Sequence, residues 1–147
     1  MSFFVDANIL VYGAVESAYR GPCLEILDAV ASGKAPGRMS TAALEEVWYL
    51  ELSGRVGDLS GLTENGYAIF SPLLPVTDEV FQLALSLDAR AVGPNDRLHL
   101  GACLVHDIDV IVSADSALDG VSGVRRVDPL DAGARRRLLR NGGSAAH

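Results

Sequence analysis

Four stretches of the chain put carboxylates where chemistry could use them. Asp6 follows the apolar run Phe3-Phe4-Val5, Glu45 and Glu46 are adjacent, Asp96 comes after Gly93-Pro94, and Asp115 comes shortly after Val110-Ile111-Val112. Carboxylates gathered at one point repel unless something cationic offsets them. A hard divalent cation does this, and Mg²⁺ or Mn²⁺ prefers oxygen ligands while retaining several waters. Such an ion activates water, orients a phosphodiester and stabilises the departing oxygen. Taken singly, each acid has a plainer use. Asp6 and Asp115 read as caps of the helices that follow, and Asp96 as a first-turn acid favoured by the helix dipole. Glu45 and Glu46 lie among Leu44, Val47 and Trp48, and adjacent helical residues point about 100° apart. One of the pair can therefore sit near the buried edge while the other faces water. The pattern does not say which.

The elements that would carry these acids alternate in type. Phe3 to Val5 is a short β-prone run, and Ile9 to Tyr12 continue without alternation, as a helix would. Cys23, Ile26, Leu27 and Val30 share one face of a helix over residues 22–32, followed by a short possible strand at Gly37 to Ser40. A second helix is expected from about Thr41 to Ser53, then a turn-rich stretch from Gly57 to Gly66 holding a loop or a weak helix. Residues 72–76 read as a strand, with Thr77 or Asp78 capping the helix after it. Asn95 is expected to cap a helix reaching about His106. Asp109 to Ser113 is the clearest strand, carried by the run Val110-Ile111-Val112, Val124 to Val127 is a weaker one, and Pro129 is a tolerated start for a last helix. Short apolar strands alternating with helices imply an α/β domain, a short parallel sheet covered by helices on both faces. In such sheets ligands bind at the carboxyl ends of strands, where Asp6 and Asp115 fall.

At 147 residues and 49% hydrophobic, the chain fits one domain, and wholesale disorder is excluded. Residues 1–140 are read as that domain and Asn141 to His147 as a disordered tail. Two cysteines, Cys23 and Cys103, are too few for a disulfide scaffold and sit in apolar stretches, as buried hydrophobes in a reducing compartment do. No apolar run approaches the roughly 18 residues of a membrane span, and a cytoplasmic protein is expected. The net charge of −7 is uneven: 17 acids and 6 bases precede Arg125, while 2 acids and 6 arginines follow from it. An acidic body is unlike a generic nucleic-acid binder, whose footprint is basic. An enzyme that holds a cation among carboxylates would also read as acidic.

Taken together, the motifs resemble those of PIN-domain ribonucleases. Phe4-Val5-Asp6-Ala7-Asn8-Ile9-Leu10 is similar to the family's opening strand with D-x-N/S. Ser40 to Val47 resembles its second motif, and by that match Glu46 rather than Glu45 is the family's glutamate. Asn95-Asp96-Arg97-Leu98-His99-Leu100-Gly101-Ala102 is similar to the D-x-x-H-L-A helix start, and Ile108 to Asp115 to the closing strand with its T/S-x-D end. Order, spacing and span agree over nearly the whole chain, and size and layout look most like VapC-type toxins of toxin–antitoxin pairs. The resemblance implies a Mg²⁺- or Mn²⁺-dependent endoribonuclease. Asp6, Asp96 and Asp115 would be direct or water-bridged ligands, and Glu46 would hold a metal-bound water or a second ion. Asn8, Ser40 or Thr41, and Ser113 would support them, with Asp119 an auxiliary acid or a loop residue before Gly120. It also implies an RNA substrate, a small VapB-like antitoxin presenting a segment to the acids, and a homodimer. Leu118 departs from the pattern, standing where the family often has an aromatic.

His99 is read as packing in the interior or holding a strand end, rather than as base or ligand, and His106 as a surface residue. Trp48 and Tyr49 are read as helix packing. Two other readings compete. A haloacid-dehalogenase-like phosphatase needs a second aspartate where Asn8 stands and a later lysine, whereas Lys34 is the sole lysine and lies in a turn. A catalytically silent PIN module acting as a binding partner would keep the fold without turnover, but all four acid positions are filled.

Overall fold

The computed structural model describes residues 1–88 and 91–145, and its sheet is built from four short strands: β1 (Phe3–Val5), β2 (Gly37–Arg38), β3 (Val110–Val112) and β4 (Arg125–Val127). Every pairing is parallel and the order is β2-β1-β3-β4. Phe4 pairs with Ile111 and Val5 with Val112, so the two central strands end level with each other. Phe3, Phe4 and Val5 are all buried, which a strand achieves only when both faces of its sheet are covered. Seven helices among the described residues supply that cover: α1 (Ala7–Ala14), α2 (Arg20–Ala31), α3 (Thr41–Ser53), α4 (Leu62–Phe70), α5 (Asp78–Ser86), α6 (Pro94–Val105) and α7 (Ala132–Ala145). The expected α/β architecture is the one found.

The chain leaves β1 toward β2 on one side and later leaves β3 toward β4 on the other. The carboxyl ends of β1 and β3 therefore flank the point where the connections diverge, which opens a crevice there. Close packing fixes the helices that reach it. At Gly101 a Cβ would lie 2.7 Å from the Val80 carbonyl oxygen, so only glycine lets α6 press this closely on α5. That contact sets the height of the first turn of α6, where Asp96 sits.

Several elements differ from the sequence reading, each for a local reason. Residues 72–76 form no strand: only Leu74 bridges to Ser40, because Pro72 and Pro75 flank it without amide hydrogens to donate. The turn-rich stretch yields a full helix, α4, reaching Phe70. Its start is held by Glu51, whose carboxylate accepts from the amides of Gly61 and Thr63. Gly93, not Asn95, is the N-cap of α6, with Pro94 at the first helical position. The last helix begins at Ala132 rather than Pro129, with Asp131 accepting from the Ala134 amide. It is described as far as Ala145; Ala146 and His147 lie outside the described residues. Of the apolar residues assigned to α3, Leu44 and Val47 are buried, whereas Trp48, Tyr49 and Leu52 are exposed. Cys23 and Cys103 are free and buried, and burial pushes both thiols up to about 12. No described helix is long and apolar enough to cross a membrane.

Candidate metal centre

Asp6 is the last residue before α1 and its N-cap: Oδ1 accepts from the Ala7 amide at 2.7 Å. Its other oxygen, Oδ2, accepts from the Ser113 hydroxyl at 2.7 Å, across the seam between β1 and β3. Ser113 is buried and accepts in turn from Asn8 Nδ2 and from the Asp115 amide, both at 3.1 Å. Asn8 completes the loop by accepting from the Ala114 amide. Asp115 caps the 3-10 turn Ser116–Leu118 through the Ala117 amide. The capping roles that the sequence assigns to Asp6 and Asp115 are thus real, and they are what aim the remaining oxygens.

Two helices bring the other acids. Asp96 lies in the first turn of α6, and Glu46 is part-buried one turn into α3, while Glu45 faces solvent. Asp6, Glu46, Asp96 and Asp115, with Asn8, line a single cavity of about 540 Å³ at the carboxyl edge of the sheet. Beneath them lies His99, one turn after Asp96 and fully buried. Its Nε2 stands 3.2 Å from Glu46 Oε1, 3.7 Å from Asp6 Oδ1 and 4.0 Å from Asp96 Oδ1. The ring stacks on Phe4 with centroids 5.4 Å apart. The i+3 spacing from Asp96 raises His99 as a base or ligand, and the sequence favours an interior role instead; the residue does sit in the interior, and from there it faces the acids.

The electrostatics follow from burial first and from the neighbouring charges second. Burial raises the Asp6 carboxyl, and the His99 charge and the Ser113 hydrogen bond only partly oppose it. Asp96 is pushed up to about 6, by burial first and then by the Asp6 charge. Burial alone would lower His99, but the close approach of Glu46 and the charges of Asp6, Glu46 and Asp96 outweigh it and hold the imidazole above its usual value. Carboxyl groups raised by burial and then by one another's charge mark a place where positive charge is wanted. Oxygen donors in this number fit a hard divalent cation, so the donor set and the family expectation agree.

The remaining sequence candidates do other work. Thr41 accepts from the Val76 amide and is exposed, and Ser40 caps α3 through the Ala43 amide. Asp119 is exposed and clamped by Arg126, whose guanidinium donates to both of its oxygens and to the Ser113 carbonyl. Arg126 therefore steadies the end of β3 from behind, a role the sequence reading overlooked. The signal was a charged pair, Arg125-Arg126, inside the short strand β4. Leu118, where the resemblance expects an aromatic, is fully buried on the 3-10 turn. His106 is exposed, as expected.

A family model described as PIN domain matches residues 3–124. Among solved structures, the crystal structure of VapBC2 from Rickettsia felis bound to a DNA fragment from their promoter is similar, with 14% identity and a TM-score of 0.64 over 86% of this chain and 98% of that one. FitAcB from Neisseria gonorrhoeae is similar at 12% identity and a TM-score of 0.60, over 89% of this chain and 99% of that one. At these identities the likeness is one of fold. No curated protein matches by sequence.

Proposed function

The chain belongs to the PIN-domain family, and on that premise we propose that it is a metal-dependent endoribonuclease, the toxin of a VapBC-type pair, cutting RNA at the carboxyl-edge acids. One observation carries the reading: Asp6, Glu46, Asp96 and Asp115, drawn from four separate segments, converge on one cavity. Structural acids have no reason to meet in this way, since their repulsion costs stability. Asp6, Asp96 and Asp115 would hold Mg²⁺ or Mn²⁺, with Glu46 orienting a water at the same centre. When bound, the cation supplies a water of lowered pKa and stabilises charge on the departing oxygen. The protein's own contribution is rigidity. Ser113 and Asn8 leave Asp6 one orientation, and the caps fix Asp6 and Asp115 to their backbones, so little reorganisation remains when a phosphodiester arrives.

A small VapB-like antitoxin as partner is supported by the fold shared with VapBC2 and by Trp48, Leu52 and Tyr67, large apolar side chains left exposed on α3 and α4. A homodimer is supported by the apolar hollow of Phe81, Leu85, Pro94 and Leu98 on α5 and α6. A cytoplasmic setting suits the two free, buried thiols. The test is incubation of the purified protein with end-labelled RNA and Mg²⁺, Mn²⁺ or chelator, beside Asp96→Asn. Metal-dependent cleavage that vanishes in the folded variant is expected. A fully active, folded variant overturns the assignment, and a folded wild type that binds metal without cutting any RNA favours a silent module.

A further inference from the structure

The buried imidazole is the one polar group of the centre that the carboxylate account leaves without a task. His99 is fully buried, yet neither Nδ1 nor Nε2 has a hydrogen-bond partner among the described residues. Nε2 is 3.2 Å from Glu46 Oε1, but the ring's N–H direction is not aligned with that oxygen. A buried polar atom without a partner costs free energy, so one retained at a functional edge calls for a ligand.

We propose that His99 Nε2 is itself a ligand of the metal centre, making it a mixed oxygen–nitrogen site that favours transition ions such as Mn²⁺ over Mg²⁺. The inference rests on the cluster being a metal centre. Ligand atoms of Asp6, Glu46 and His99 all lie within 4.8 Å of one another. Two atoms bound to one ion at about 2.0–2.2 Å stand about 3 Å apart at right angles and about 3.5 Å apart in a tetrahedron. The separation from Nε2 to Glu46, 3.2 Å, falls in that range, those to Asp6 and Asp96, 3.7 and 4.0 Å, lie just beyond it, and all three exceed the lengths of aligned charge-assisted hydrogen bonds. The stack on Phe4 fixes the ring plane from below, and α6 fixes its height. Imidazole nitrogen binds first-row transition ions better than it binds Mg²⁺, whose preference is for oxygen.

Pulsed electron paramagnetic resonance of untagged, Mn²⁺-loaded protein tests this directly. The chain has 3 histidines, so a His106→Gln, His147→Gln variant leaves His99 as the sole imidazole. A strong ¹⁴N coupling that converts to ¹⁵N on histidine labelling is expected. Mn²⁺ should also bind at least about tenfold tighter than Mg²⁺, a ratio that His99→Leu, checked for folding by circular dichroism, should reduce. Mn²⁺ bound with no directly coordinated nitrogen overturns the inference and leaves an all-oxygen centre standing. Failure to bind Mn²⁺ at all removes both.

Discussion

Two cavities open at opposite edges of the same sheet, and the larger one is not the candidate site. The cavity at the amino edge, about 840 Å³, is walled by Phe3, Val110, Val124, Val127 and Leu138, with Asp109, Arg125 and Arg137 around it. The carboxyl-edge cavity is about 540 Å³. Buried polar groups separate them. Asp6, Ser40, His99 and Ser113 are the buried polar or charged residues among those described; Asp6 lines the smaller cavity, Ser113 and His99 contact Asp6 from behind it, and none lines the larger. Volume at a sheet edge is a by-product of strands ending. Desolvated acids held by caps and hydrogen bonds are not, because each costs stability unless a ligand offsets it.

Matched substitutions at the two edges should break this contrast if it is wrong. Asp6→Asn keeps a capping oxygen but removes a charge from the cluster, and RNA cleavage should fall at least about a hundredfold. The metal-free variant should nevertheless melt no lower than wild type, since ionised Asp6 is buried at a cost. Asp109→Asn at the amino edge should change neither rate nor melting. Equal losses of cleavage in both variants would erase the distinction between the cavities.

Phe4→Ala comes next. Phe4 is fully buried on β1 and carries the His99 ring, so its truncation should cost about 3–5 kcal/mol in urea unfolding. Leu138→Ala, at a half-buried position over the amino-edge cavity, should cost far less. Ser113→Ala then isolates orientation from charge. It removes the hydroxyl bonded to Asp6 and Asn8, and Mn²⁺ affinity should fall about tenfold by calorimetry while the fold persists.

How much of this was legible beforehand follows the same division. The strand-end acids were readable because capping and ligation ask for the same residue at the same place, and Asp6 and Asp115 both cap and line the cavity. The choice of Glu46 over Glu45 was not contained in the helical pattern; it came from the family resemblance and agrees with Glu46 facing the cavity. The stripe on α3 misled at Trp48 and Leu52, since periodicity marks an apolar face without saying whether the fold itself covers it. Residues 72–76 looked like a strand because β-propensity ignores where amide hydrogens are needed. His99 stood out by its spacing from Asp96 but was assigned to the interior, because its nearness to Asp6 and Glu46 is not visible in sequence; Arg126 escaped because it acts on the distant Ser113 carbonyl.

Acidity offers a graded test of the carboxyl edge. Asp96 is raised to about 6, so in metal-free protein its ionisation subtracts stability as pH climbs from its ordinary value of 3.8, and the loss is complete above about 6. Asp6 is raised likewise. His99, raised above 6.5, adds stability that is fully present below 6.5 and is lost as pH rises through its elevated value. All three act in one direction, and a cation replaces what they lose. The rise in melting temperature on adding Mn²⁺ should therefore be about 3 °C or more greater at pH 8 than at pH 5. A gap that stays constant with pH would show that these groups do not share the metal's position.

The smallest effect is expected where the cavity is largest. Arg137 is exposed on α7 and lines the amino-edge cavity. It differs from Arg135, which is held against Glu25 of α2 and thereby joins α7 to the domain. Arg137→Ala should shift stability by less than about 0.5 kcal/mol, as surface changes without a fixed partner do. Mn²⁺ affinity and cleavage of a short RNA should stay at wild-type values in low salt. A fall in cleavage with Mn²⁺ affinity intact would make this arginine an RNA contact, and its dependence on salt would then weaken with the charge removed. A fall in Mn²⁺ affinity would be more serious. It would couple the two edges through the strands between them, and the smaller cavity would lose its claim to act alone.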